Sequence, residues 1–269
     1  MKILKKNLNF LLPIKVKNLI RLGRNFDGGY LVCSDTLNKC RNLITLGVGD
    51  DTSFERDFNK LIKPDNIHLY DYTVSHKLFF YIILKYIRRF VTFKAKASNI
   101  IDSVNSFLNF KNFISQSNVK LFKEKVVSKI KEKNNVDLSK IFLRLKDNTN
   151  NLVKIDIEGS EYEIIDTLIE FHNSIEMLII EFHWINKNKE IFEESVKKLN
   201  DKFKIIHVHA NNYILPKEED YFFDVIEVSF IKRKNIKNLN EEYRYQFPID
   251  KLDFKCVKDR PEINFAFSK

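Results

Sequence analysis

Carboxylates, histidines and amides gather at the ends of three apolar runs in this chain, and these are the side chains able to do chemistry. In LVKIDIEGSEYEII, Asp156 and Glu158 close one run and Gly159 permits the turn that follows. A carboxylate on a core strand is costly unless it is paired, hydrogen-bonded or functional. Asp156 is therefore a candidate for catalysis, whereas Glu161 is expected only to decorate the start of a helix. In IIEFHW, Glu181 ends the next run and His183 lies just beyond. In HVHANNY, His207, His209, Asn211 and Asn212 end a third. An imidazole titrates near neutrality and is the usual general base. Asp156, Glu181 and His183 are also donors suited to Mg²⁺ or Mn²⁺, although no diagnostic ligand spacing accompanies them.

A second group of residues suits a nucleoside cofactor. In LITLGVGDDTSFE an apolar run meets Gly47 and Gly49, and Thr52 and Glu55 then have the spacing of a helix capping box. A strand, a glycine turn and a helix start form a nucleotide cradle beyond the carboxyl end of the strand. The dinucleotide fingerprint would need glycine at Thr52, so an NAD site is disfavoured. Asp50 and Asp51 would repel a pyrophosphate but suit a cationic amine or ribose hydroxyls, which favours S-adenosylmethionine. Asp71 lies about 20 residues on, where an acidic residue grips ribose hydroxyls in such sheets. A third cluster, RLGRNFDGGYLV, offers Arg21, Arg24, Asp27 and Tyr30 beside Gly28 and Gly29. It is either an edge turn or a loop reaching over a ligand.

The elements that position these residues alternate strand and helix. Strands are expected at Asn42 to Leu46, Ile67 to Tyr70, 119–128, Leu152 to Ile157, Met177 to Phe182, Lys204 to His209 and Val225 to Ile231. The last two lack a long helix between them and are expected to pair antiparallel. Helical faces are expected from Phe54, Phe58, Leu61 and Ile62, from Ile164, Ile165, Leu168 and Ile169 behind a second capping-box spacing at Ser160 and Glu163, and from Ile191, Phe192, Val196 and Leu199. Residues 77–117 read as a mostly helical insertion covering one end of the sheet; a substrate lid, a dimer surface and an interfacial membrane helix are options for its aromatic face, with core packing or self-association expected. The tail from Arg233 is polar and reads as lightly ordered. This pattern argues for a doubly wound α/β sheet in one domain spanning 1–269.

Bulk properties narrow the function classes. The 269 residues carry 46 Lys and Arg against 36 Asp and Glu, a net charge of +10. The charges are interleaved, as in KNKEIFEESVKK, which describes a solvated basic surface rather than a nucleic-acid partner. Three cysteines form no C-x-x-C pair, which fits a reducing, cytoplasmic setting. The amino-terminal segment lacks the features of a signal peptide. The most apolar run, Leu78 to Leu84, is too short to form a transmembrane segment.

LGVGDDTSFE, LYDYT, VKIDIEGSEYEII and IIEFHW together resemble the FkbM family of S-adenosylmethionine-dependent methyltransferases, and Lys154 to Glu161 is the most specific part. RLGRNFDGGYLV and HVHANNY resemble a bacterial capsule and surface-polysaccharide branch. The resemblance implies a Rossmann-like class I methyltransferase fold with strand order 3-2-1-4-5-7-6, and methyl transfer to a hydroxyl. It further implies cofactor contacts from Gly47, Gly49 and Asp71, which the reading of the residues extends to Asp50 and Asp156. Asp50 and Asp51 stand where the family often has alanine and asparagine. On the acceptor side, His183 is the first choice of base and His209 the second, with Asp156 and Glu181 completing the catalytic set and Tyr30, Asn211 and Asn212 contacting substrate. The implied acceptor is a sugar or nucleotide-sugar hydroxyl, such as an activated heptose. A capsular phosphoramidate group, or a non-catalytic binding role in a glycan assembly complex, are the alternatives. A homodimer is an option.

Overall fold

The computed structural model describes residues 2–4, 6–217, 223–236 and 242–268. Its centre is a seven-stranded sheet. The strands are β1 (Asn42–Leu46), β2 (Asn66–Tyr70), β3 (Val119–Phe122), β4 (Asn151–Ile155), β5 (Ile175–Phe182), β6 (Phe203–Ala210) and β7 (Ile226–Lys232). Their order is 3-2-1-4-5-7-6. β7 runs antiparallel to both β5 and β6, and the pairs from β3 through β5 are parallel. This is the class I methyltransferase arrangement that the family resemblance implies.

Strands buried on both faces read as near-continuous apolar runs. In β5 every residue is buried. Leu178, Ile180 and Phe182 join the core on one face, while Met177 and Ile179 join the core on the other. Helices α1 (Ser53–Ile62), α4 (Ile165–Glu170) and α5 (Lys189–Asn200) cover the faces. Phe54 and Phe58 are buried as expected, but Leu61 is exposed. In α5, Phe192, Val196 and Leu199 are buried, whereas Ile191 is exposed.

Neither expected capping box forms. Ser53 N–H donates to the Asp51 carboxylate, and Glu55 turns inward, where Thr45 Oγ1 donates to it at 3.0 Å and Lys154 Nζ lies at 3.3 Å. Ser160 makes no side-chain cap; the segment after it is a short 3-10 helix, Glu161–Ile164, before α4 begins. At Glu55 a buried polar demand outweighs a local cap worth about 1 kcal/mol, whereas Glu163 stays exposed.

The insertion is a helical hairpin, α2 (His76–Val91) and α3 (Ala97–Ile114). Phe110 and Phe113 of α3 are buried against the body, but on α2 only Phe79 is buried. The expected core packing therefore holds for α3 and fails for most of α2.

The carboxyl-terminal tail is more ordered than its polar composition suggests. Residues 237–241 lie outside the described residues. Beyond them, Phe265–Phe267 pairs with Gln246–Phe247 and with Lys2–Leu4 in a three-stranded sheet. Phe247, Phe265 and Phe267 are buried. These three phenylalanines carry the packing that hydrophilic neighbours conceal in a composition average.

Candidate active site

Strands β1, β4 and β5 end side by side, and their exits form the site. β1 ends at Gly47, whose φ is +79°. A Cβ placed there would lie 1.8 Å from the carbonyl oxygen of Asp156, so only glycine lets the exits of β1 and β4 approach. Gly49 also has positive φ, +59°, but a Cβ there would meet nothing within 4 Å. It borders open space. That space is a cleft of about 530 Å³ whose lining includes Tyr30, Gly47, Gly49, Asp50, Asp71 and Asp156. The cofactor residues named from sequence therefore share one cavity.

Asp71, at the exit of β2, fixes the loop that borders this cleft. Its Oδ2 accepts from the N–H groups of Val48 (3.1 Å) and Gly49 (2.9 Å). Its Oδ1 accepts from Thr73 N–H and Thr73 Oγ1, both at 2.7 Å. Asp51 is turned to Arg24, 3.1 Å away. The Asp50 carbonyl accepts from Ser106 Oγ of α3 at 2.8 Å.

At the exits of β4 and β5, carboxylates surround His183. Its Nε2 lies 3.5 Å from Glu181, 3.7 Å from Glu158 and 3.8 Å from Asp156. On the opposite side of the ring, Nδ1 lies 2.9 Å from Glu161 Oε1. Glu161 is fully buried and also accepts from the N–H groups of Ile157 (3.2 Å) and Gly159 (3.1 Å). It orients the imidazole and holds the turn after Asp156. Its spacing places Glu161 at a helix start, but its histidine partner comes from a different strand, 22 residues away, which spacing alone does not reveal. The residues after both strands, Glu158 and Trp184, have φ of 54° and 56°. Left-handed backbone at non-glycine residues is strained and concentrates at functional sites. Trp184 packs over Gly159, where a Cβ would lie 2.8 Å from its ring. No motif in the sequence singles out Trp184 for this position.

Tyr30, in the strand Tyr30–Cys33, donates to Glu181 Oε2 at 3.1 Å, with Asp156 Oδ2 at 3.4 Å. Asn211 Nδ2 donates to Glu181 Oε1 at 3.1 Å. Both Glu181 oxygens are thus engaged. Asn212 faces elsewhere: its amide donates to the carbonyls of Val257 (3.0 Å) and Pro261 (3.1 Å) and accepts from Val257 N–H (2.8 Å), clamping the tail. His209 has its own partners as well. Its Nδ1 lies 3.2 Å from Glu227 and its Nε2 3.6 Å from Glu262, with Cys256 beside Glu227. The structure brings His183, Asp156, Glu181, Tyr30 and Asn211 together and sets His209 and Asn212 against the tail.

The electrostatics follow from burial. Burial and the neighbouring Asp156 and Glu227 charges hold the Glu181 carboxyl well above the usual range. Burial also pushes Asp156 up, to about 6, against the pull of Lys154 and His183. Burial disfavours the His183 imidazolium, but Glu161, Asp156 and Glu158 outweigh that and raise its pKa. Lys154 is buried against Glu55, 5.2 Å from the centre of the Tyr30 ring.

Of the expected metal donors, Asp156 and His183 come together with Glu158 in a group that could hold a cation, and Glu181 does not join it. Donor atoms of Asp156, Glu158 and His183 lie within 4.8 Å of one another. Glu181 is outside that group, its oxygens held by Tyr30 and Asn211.

A second cleft, of about 570 Å³, is lined by Asn25, Phe26, Asp250, Phe254, Lys255 and Lys258, among others. It shares the Gly23–Gly29 segment with the first cleft, which Arg24, Asp27 and Gly28 line. Glu262, the neighbour of His209, also lines the second cleft.

No characterised protein matches the chain in sequence. Among solved structures, it is similar to precorrin-6y C5,15-methyltransferase from Geobacter metallireducens (14% identity, 74% of this chain and 87% of that chain, TM-score 0.38). It is also similar to the fibrillarin pre-rRNA processing protein of Methanococcus jannaschii (11%, 73% and 68%, 0.38) and to spermidine synthase from Thermotoga maritima (9%, 78% and 63%, 0.39). The sequence itself matches the methyltransferase FkbM domain over residues 26–234, a span holding the whole central sheet and every residue around His183. The chain belongs to the FkbM methyltransferase family.

Proposed function

We propose that the protein is an S-adenosylmethionine-dependent O-methyltransferase acting on a sugar hydroxyl, with a nucleotide-activated sugar of surface-polysaccharide synthesis as the acceptor class. The observation that carries this reading is the Glu161–His183 pair at 2.9 Å, with Nε2 turned toward the carboxylates at the exits of β4 and β5. A base held through one nitrogen leaves the other to receive a proton.

The first cleft suits the cofactor. Gly49 leaves room for a ligand against the backbone, and Asp71 fixes the loop that borders it. Asp50 and Asp156 supply negative charge for a sulfonium and an amine. Bound there, S-adenosylmethionine supplies an electrophilic methyl group. The chain's part is to orient the acceptor and take its proton: His183 Nε2 accepts the hydroxyl proton, Glu161 stabilises the imidazolium, and Tyr30 and Asn211 hold Glu181 in place. No step is assigned to a metal: Tyr30 and Asn211 already hold both oxygens of Glu181, and the proton transfer to His183 needs none.

The second cleft suits the acceptor. Phe26 and Phe254 offer apolar faces for a sugar ring or base, Asn25 and Asp250 offer hydroxyl partners, and Lys255 and Lys258 offer charge for a pyrophosphate. The test is incubation with S-adenosylmethionine and a panel of nucleotide sugars, read by mass spectrometry, alongside calorimetric titration of the cofactor. Methylated nucleotide sugar is expected. Absence of cofactor binding by the folded protein would refute the reading.

A further inference from the structure

The helical hairpin presents much of its apolar surface outward. Phe80, Leu84, Ile87 and Val91 recur at i, i+4, i+7 and i+11, one stripe of α2, and are 63%, 37%, 39% and 69% exposed. Phe93, in the turn between the helices, is 98% exposed. Ile101, Val104 and Leu108 continue an exposed stripe along α3. This is a contiguous set of large apolar side chains of the kind that marks an interaction surface.

The charge pattern names the partner. Lys77, Lys85, Arg88, Arg89, Lys94 and Lys96 lie between His76 and Ile101, and no Asp or Glu does. Residues 1–26 also carry seven cations and no Asp or Glu, but among the described residues none of their large apolar side chains is exposed, so the hairpin joins a cation run to an exposed apolar stripe. We propose that this hairpin docks on an anionic phospholipid surface, with the Phe80–Leu84–Ile87–Val91 stripe and Phe93 entering the interface, and Lys77 and Arg88 beside the stripe and Lys94 and Lys96 of the turn meeting lipid phosphates. An apolar stripe flanked by Lys and Arg is the composition of helices that lie in a membrane interface. Among the described residues no helix is long and apolar enough to cross a membrane, so the hairpin lies on the surface. A second copy of the chain, the other occupant of such a face, would set these cations against their copies; an anionic surface neutralises them. Docking also bears on the site, because Ser106 of α3 holds the Asp50 carbonyl at the cofactor cleft. The membrane-bound hairpin would keep that cleft beside the lipid surface. The proposal rests on the hairpin alone and does not depend on the acceptor.

The test is co-sedimentation of the full chain with phosphatidylcholine vesicles, with and without phosphatidylglycerol, at low and high salt. Two variants accompany it, Phe80→Ser with Phe93→Ser and Arg88→Glu with Lys94→Glu. All four positions are exposed, and melting curves check that the fold is retained. Binding selective for the anionic vesicles, weakened by salt and reduced about tenfold or more in each variant, is expected. Absence of binding to anionic vesicles, equal binding to neutral ones, or binding that both variants retain would overturn the proposal. So would a dimer in analytical ultracentrifugation that the Phe80→Ser, Phe93→Ser variant dissolves without affecting vesicle binding.

Discussion

Glu161 Oε1 lies 2.9 Å from His183 Nδ1, and the same oxygen accepts the N–H groups of Ile157 and Gly159. One buried carboxylate therefore couples the imidazole of β5's exit to the turn that carries Asp156. Replacing it should affect proton transfer before it affects the fold. In the proposed mechanism the neutral form of His183 is the base, and its carboxylate neighbours raise its pKa above the ordinary 6.5. Activity is therefore expected to fall as pH drops through that raised value. In Glu161→Gln the raising partner is gone, so the acidic limb of the kcat/KM profile should move to lower pH. The plateau should lose part of the roughly 10²–10⁴-fold that a positioned base contributes. An unchanged profile would remove Glu161 from this role.

The buried carboxylates should serve function at the expense of the fold. The Asp156 carboxyl is raised from 3.8 to about 6, chiefly by burial. A carboxyl raised in the folded state contributes stability that is lost as pH rises through the folded value. Asp156→Asn avoids that loss. A rise of this size corresponds to about 3 kcal/mol; partial exposure of the side chain reduces the expectation to roughly 1–2 kcal/mol. Urea unfolding should show the variant gaining on wild type between about pH 4 and about pH 7, while methyl transfer is impaired.

Lys154 should matter mainly for stability. Its Nζ pairs with the fully buried Glu55 at 3.3 Å. Lys154→Ala leaves that carboxylate without a counter-charge and is expected to cost about 3–5 kcal/mol. Lys154→Ala combined with Glu55→Ala should cost less than the sum of the single changes. Additive losses in chemical denaturation would contradict a direct pairing.

The glycines of the β1 turn should separate by role. Gly47→Ala drives a Cβ into the Asp156 carbonyl and is expected to prevent folding. Gly49→Ala meets no atom, so it should cost only about 1–2 kcal/mol for its left-handed backbone while weakening cofactor binding measured by calorimetry.

Chelation tests the proton path against a metal. With Glu181 held by Tyr30 and Asn211 and the proposed proton transfer to His183 needing no metal, EDTA is expected to leave turnover unchanged. A large loss restored by Mn²⁺ would replace the histidine base with a metal-assisted path.

Much of the architecture is legible because most strands are predominantly apolar runs and several end at glycine or a carboxylate. NLITL before Gly47 and LVKI before Asp156 reveal buried parallel strands without reference to partners. What escapes is whatever depends on partners distant in sequence. Glu55 and Glu161 look like helix-start residues, yet Lys154 and His183, from other strands, claim them. Asn212 and His209 lie at the end of β6, as expected, but the tail packs over them, and a tail of polar composition gives no sign of the buried Phe247, Phe265 and Phe267. The aromatic run of α2 suggests core packing or self-association because periodicity shows an apolar face without showing what covers it.

Single-turnover methyl transfer by His183→Ala is the most direct test of the central claim. The variant should bind S-adenosylmethionine as wild type does and methylate the acceptor about 10²–10⁴-fold more slowly. Transfer at the wild-type rate with the cofactor bound would show that His183 is not the base.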